Sequence, residues 1–114
     1  MIDFACKRFS LDEIIKCSLS LSKADCKIMH SLLKEQDWIT TKDLAKKLNL
    51  NITTVQRAVK KLHGKNVLTR SQENLKDGGY IFFYKIKNKK ELRELIMQLV
   101  NDWVNNVEKE LNNW

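Results

Sequence analysis

Proline is absent from this chain, and the only three glycines are Gly64, Gly78 and Gly79. A sequence without proline has no obligatory helix breaker in it, which suits a protein that is mostly helix. The glycines then read as punctuation: Gly64 as a left-handed helix stop, Gly78 and Gly79 as turn residues with positive φ. No run approaches the roughly 18 apolar residues that a membrane span requires. The N-terminus, MIDFACKRFS, lacks the apolar stretch and cleavage site of a signal peptide, so a cytoplasmic location is expected. The three cysteines, Cys6, Cys17 and Cys26, are odd in number and never spaced C-x-x-C. They exclude a disulfide framework, imply a reducing compartment, and read as small core hydrophobes. His30 and His63 stand apart, with no cysteine or histidine at zinc-ligand spacing, so no metal is expected. There is no phosphate-binding glycine loop and no nucleophile–base pattern, which argues against an enzyme and against a cofactor. Neither repeats nor low-complexity linkers are present, and 114 residues suffice for one core plus an added element.

What the chain does have is positive charge, unevenly placed. Its net charge is +7, yet residues 38–90 hold 13 of the 21 Lys and Arg and 3 of the 14 Asp and Glu, a local net of +10. The remainder is acidic at −3. Such asymmetry points to a defined face for a polyanion.

The most informative stretch is WITTKDLAKKLNLNITTVQRAVKKLHGK, residues 38–65. It predicts helices over Thr41–Leu48 and Ile52–His63 joined by a tight turn. Thr40, with Asp43 three positions on, and Asn51 are suitable N-caps. In the second helix Ile52, Val55, Val59 and Leu62 follow the spacing of one buried face. The opposite face carries Thr53, Thr54, Gln56, Arg57, Lys60 and Lys61. Hydrogen-bonding side chains come first and cations after them, as in a helix that reads base edges while its tail rests on phosphates.

Upstream, Ser10 with Glu13 caps a short helix from Leu11 to about Cys17, and Ser22 with Asp25 starts another whose apolar positions are Ile28, Met29, Leu32 and Leu33. Residues 1–9 give no pattern, although Ile2, Phe4 and Phe9 offer something to bury. Trp38 and Ile39 read as a brief extended link. Downstream come strands over Val67–Gln72 and Tyr80–Ile86, with turn chemistry in Asp77-Gly78-Gly79 between them. Trp38 is expected to anchor the core under this hairpin. Asn88 then caps a long final helix. Its stripe of Leu92, Ile96, Leu99, Trp103, Val107, Leu111 and Trp114 runs ~33 Å at the helical rise, more than a small domain covers. A homodimer seam is the expected use.

A helix-turn-helix followed by a β-hairpin is a winged helix. The segment NITTVQRAVKKLHGKNVLTRSQENLKDGGYIFFYKI resembles the core of archaeal TrmB-like and MarR-like transcriptional regulators. The shared features are the T-T-V-x-R-x-V-x-x-L recognition helix, a Gly-type stop, the V-L-x-R strand and a wing. The KDGGY wing is nearer the small TrmB-like proteins, and the resemblance covers about residues 22–113. No sugar-binding C-terminal domain follows, so sugar sensing is not implied.

The expected fold class is therefore mainly α with a β-hairpin wing: residues 1–87 as N-terminal helices and winged helix-turn-helix, 88–114 as a dimerisation helix. The expected function is sequence-specific binding of double-stranded DNA by a homodimeric transcriptional regulator, with repression the default for so small a chain. Arg57 is the candidate for a guanine, Gln56 for an adenine or a phosphate, Thr53 and Thr54 for a thymine methyl or backbone oxygen. Lys60, Lys61 and Lys65 suit phosphates, and Lys76 at the wing tip the minor groove or flanking phosphates. Arg70 either reaches DNA or pairs with Glu73 or Asp77. A protein-interaction module and a non-specific architectural DNA-binding protein are the alternatives. RNA is disfavoured because no aromatic platform for stacked bases is evident in the sequence. An effector would bind between the N-terminal helices and the final helix, but no polar cluster marks such a site.

Overall fold

The computed structural model describes Met1–Trp114. Its elements run β1 (Ile2–Phe4), β2 (Lys7–Phe9), α1 (Leu11–Leu19), α2 (Lys23–Glu35), α3 (Thr41–Leu48), α4 (Ile52–Gly64), β3 (Leu68–Asn74), β4 (Tyr80–Ile86) and α5 (Lys89–Asn112). The chain divides into two compact units: Ser22–Asn88, and Met1–Leu21 together with Lys89–Trp114. No helix is long and apolar enough to cross a membrane.

The Ser22–Asn88 unit is a winged helix-turn-helix. Small polar caps start its helices. The Thr40 hydroxyl accepts from the Asp43 N–H at 3.1 Å, and the Asn51 side chain accepts from the Thr53 N–H at 2.8 Å. Ser22 and Asp25 form a reciprocal capping box on α2, satisfying two donors that a helix start otherwise leaves unpaired. Left-handed residues end α2 and α3, at Gln36 and Asn49. The core joins Ile28, Met29 and Leu32 of α2, Leu44 and Ala45 of α3, and Val55, Ala58, Val59 and Leu62 of α4 with Val67, Leu68 and Ile86 of the hairpin base.

β3 and β4 pair antiparallel from Leu68↔Ile86 to Asn74↔Tyr80. The five residues between them close with the Leu75 N–H donating to the Gly79 carbonyl, and Gly78 and Gly79 take φ of 92° and 81°. β3 starts one residue later and runs two residues further than the sequence suggests, because Glu73 and Asn74 still find partners on β4. The link before α3 touches β4 through one isolated bridge. Ile39 and Tyr84 exchange both backbone hydrogen bonds, each at 2.9 Å.

Several expectations need correction. Gly64 is not the left-handed stop: it remains helical, and the positive φ falls on Asn66, at 65°. From there the Val67 N–H bonds the Leu62 carbonyl, so the reversal comes just after the helix end. Ile52 is not on the buried face; it is the first residue of α4, lies beyond the packed turns, and is exposed, while Ala58 takes a place in the core. Trp38 is also exposed, with the Lys85 ammonium 6.0 Å from its ring centre. Val67, Leu68 and Ile86 already fill the space beneath the hairpin.

In the second unit, residues 1–9 form a small hairpin with Ile2↔Phe9 in register and an Arg8–Asp3 ion pair. Three-residue strands leave no periodic trace in a sequence. α1 extends to Leu19, ending at the left-handed Ser20, and packs against α5. The cysteines are not core residues: Cys6 lies in the hairpin turn, Cys17 on the exposed side of α1, and Cys26 is half-buried; none forms a disulfide. Along α5 Leu92 is buried and Ile96 and Leu99 are half-buried, whereas Trp103, Val107, Leu111 and Trp114 are all exposed.

One polar group inside the winged helix titrates away from its ordinary range. Burial acts most strongly on the Asp25 carboxyl and raises its pKa. The Ser22 N–H, the Lys61 ammonium and the Ser22 hydroxyl together outweigh that effect and leave it lowered. A lowered folded-state pKa means that Asp25 contributes stability in full above its unfolded value of about 3.9, and loses it as pH falls through the folded value. The melting temperature of the wild type should therefore drop more steeply below about pH 4 than that of Asp25→Asn. Parallel pH curves for the two proteins would remove Asp25 from the acid response.

Candidate nucleic-acid interface

α4 is placed by its apolar side, and that placement dictates what its other side displays. With Val55, Ala58, Val59 and Leu62 buried, Thr53, Thr54, Gln56, Arg57 and Lys60 are all exposed. Thr53, Gln56 and Lys60 succeed one another at helical i, i+3, i+7 spacing, and Thr54 lies one turn before Arg57. No acidic residue lies in the first turn of α4, so nothing negative interrupts this surface. Lys65 is exposed just past the helix end, and Lys76 is exposed in the hairpin turn.

Two of the expected contacts are engaged within the protein. The Lys61 ammonium donates to Asp25 Oδ2 at 2.9 Å, and the same oxygen accepts from the Ser22 N–H at 2.9 Å. The Asp25 side chain is 9% exposed and that of Lys61 38%, so this pair fastens α4 to the start of α2 in partial shelter from water. Arg70 lies with its guanidinium 4.3 Å over the Phe82 ring. This stacking takes the place of the pairing with Glu73 or Asp77 that is one of the sequence-based alternatives for Arg70. It arises because Arg70 and Phe82 are diagonal neighbours on one face of the hairpin.

The structure also gathers residues that the sequence does not nominate. A cleft of about 800 Å3 lies between α3, the start of α4 and β4. Lys42 and Lys46 line its α3 side, Ile52 and Gln56 its α4 side, and Tyr80, Phe82 and Tyr84 its β4 side. Both signals exist in periodic form: the lysines at i, i+4 in a helix, the rings at i, i+2, i+4 in a strand. The expectation that no aromatic platform exists is overturned, since register puts all three rings on one face of β4. Their centroids are 5.0 and 6.5 Å apart along the strand.

Comparison with known proteins agrees with this fold. A family model described as the DnaD N-terminal domain matches residues 9–107. An uncharacterized protein of Methanocaldococcus jannaschii is 31% identical over 104 residues, which is 91% of this chain and 78% of that protein. A solved structure from Methanosarcina mazei Go1, described as a possible transcriptional regulator, is 50% identical with a TM-score of 0.90, covering 100% of this chain and 96% of that one. A mutant of Staphylococcus aureus MepR bound to an oligodeoxyribonucleotide shares the fold at a TM-score of 0.55 and 14% identity, over 90% of this chain and 72% of that one.

The two neighbouring lysines of α4 should differ sharply in what they do for the fold. Lys60→Ala removes an exposed side chain and should change unfolding free energy by less than about 0.5 kcal/mol. Lys61→Ala leaves the sheltered Asp25 carboxylate short of a partner and should cost about 1–3 kcal/mol. Urea unfolding of both variants measures this, and equal effects would show that the Asp25–Lys61 bond contributes nothing.

Proposed function

The chain belongs to the DnaD N-terminal domain family, and we propose that it is a sequence-specific double-stranded DNA-binding protein that regulates transcription as a homodimer. One observation carries this reading: the exposed polar and cationic face of α4, set in a winged helix-turn-helix, with lysines at its end and at the wing tip. α4 enters a major groove. Arg57 pairs with a guanine, Gln56 with an adenine or a phosphate, and Thr53 and Thr54 meet a thymine methyl or the backbone. Lys60 and Lys65 rest on phosphates and Lys76 reaches the flanking groove. Lys61 contributes its charge mainly through Asp25, and Arg70 supports the wing through Phe82. The description of the Methanosarcina mazei relative supports a regulatory role, and repression by obstruction is the simplest mechanism for a chain of this size.

The dimer is supported by the distal half of α5. Trp103 and Leu111 are each 59% exposed and Trp114 fully so. Burying large side chains contributes about 1.5–3 kcal/mol apiece, so a second copy covering this stripe is strongly favoured. Two recognition helices related by a two-fold axis would read an inverted repeat.

Selection of bound sequences from a random DNA pool separates this reading from its rivals. An inverted-repeat consensus supports it. Equal recovery of all sequences indicates an architectural protein, and no recovery a protein-interaction module.

Arg57→Ala should cost about 1–3 kcal/mol of specific binding and relax one base position without changing the melting temperature. An equal loss on random DNA would reduce Arg57 to a phosphate contact. Trp103→Glu with Val107→Glu should give monomers in sedimentation and abolish tight binding of the inverted repeat. A wild-type chain that sediments as a monomer at micromolar concentration yet binds that repeat tightly would defeat the dimer.

A further inference from the structure

The cleft between α3 and the wing has two unlike walls. One is aromatic: Tyr80, Phe82 and Tyr84, with Tyr80 58% exposed at the end nearest the turn. Neighbouring rings are inclined at 54° and 64° to one another, each supporting the next, and Arg70 covers Phe82. The ladder is thus already ordered before anything binds. The other wall is cationic and polar: Lys42 and Lys46, one helical turn apart on α3, with Asn49 and Gln56 beside them. No carboxylate lines the cleft.

An ordered aromatic wall facing cations across an open cleft matches a polymer that alternates flat rings with phosphates. A duplex does not meet that description, because its base faces are stacked inside it. Unpaired nucleotides do: bases stack on aromatic side chains while the backbone follows the positive side. The cleft also begins at Ile52 and Gln56, the first turns of the helix assigned above to the major groove. A strand leaving a duplex beside α4 arrives at this opening, and this continuity favours DNA over RNA as the occupant.

We propose that the cleft between α3 and β4 binds a short stretch of single-stranded DNA adjoining the duplex, with a base stacked on Tyr80 and the ladder behind it and phosphates on Lys42 and Lys46. The assignment rests on the reading of α4 as a duplex-binding helix. It gives the protein a preference for junctions, tails or opened sites over continuous duplex.

The test uses the full chain and labelled DNA, with binding followed by fluorescence anisotropy. The probes are a blunt duplex, the same duplex with a six-thymidine tail, a free ten-nucleotide oligothymidylate, and thymidine monophosphate as competitor. The tailed duplex should bind about tenfold more tightly than the blunt one, in the range that one stacked base provides. Tyr80→Ala should remove most of that gain and Tyr80→Phe should keep it; Lys42→Gln with Lys46→Gln should reduce it and flatten its salt dependence. Since Tyr80 is largely exposed, these variants should keep the wild-type circular dichroism and melting temperature. Equal affinity for tailed and blunt duplexes, or a gain that survives Tyr80→Ala, overturns the proposal. So does competition by thymidine monophosphate as effective as that of the oligonucleotide, which would make the cleft a mononucleotide site, and so does tighter binding of an oligouridylate, which would make it an RNA site. Binding of the oligothymidylate that needs Tyr80, in a protein that ignores blunt duplex, would support the cleft and refute the assignment of α4.

Discussion

Everything in the winged helix depends on the apolar side of α4 being buried against α2, α3 and the base of the hairpin. Val55, Val59 and Leu62 are at most 1% exposed, and full burial of such side chains contributes about 1.5–3 kcal/mol each. The helix is amphipathic, so fixing one side leaves the other fixed in orientation and free in composition. The residues that fold α4 and those proposed to read DNA are disjoint sets on one element. Lys61 is the exception: it leaves the outer face to bond Asp25, and so ties the rotation of α4 about its own axis to the start of α2.

The legible part of the structure is the part written in local rules. Ser10, Ser22, Thr40 and Asn51 announce their helices, because each hydroxyl or amide cap meets an N–H two or three residues ahead. Tyr80–Ile86 announces its strand through aromatic and β-branched content. The winged helix follows from element order, and the surface of α4 from its periodicity. The less legible part depends on contacts between distant residues. Nothing near Asp25 in sequence says that Lys61, 36 positions away, will bond it. Pairing of Ile39 with Tyr84 and stacking of Arg70 on Phe82 are likewise facts of register, which single residues do not encode.

The misreadings of individual residues share a cause. Hydrophobicity alone assigns Ile52, Trp38 and the three cysteines to the interior, but burial is decided by position. Ile52 occupies a helix end, Trp38 the flank of a sheet already filled from beneath, and Cys6 a turn with no interior at all. Residue type assigns Gly64 a left-handed conformation, yet Asn66 adopts it, asparagine being among the few residues that tolerate that region. In each case composition supplies a true preference and the fold has a better place to satisfy it.

The paired hydrogen bonds between Ile39 and Tyr84 form an isolated bridge that fastens the segment before α3 to β4 of the two-stranded wing sheet. The bridge falls toward the base of β4, with the stretch from Tyr80 to Phe83 and the turn projecting beyond it. Mechanically this is a fulcrum. A load on the wing tip bends the hairpin about Tyr84, and the short end of the lever is the backbone that leads directly into the Thr40 cap of α3. Force gathered at the turn therefore reaches the helix-turn-helix through two hydrogen bonds and a single residue of chain.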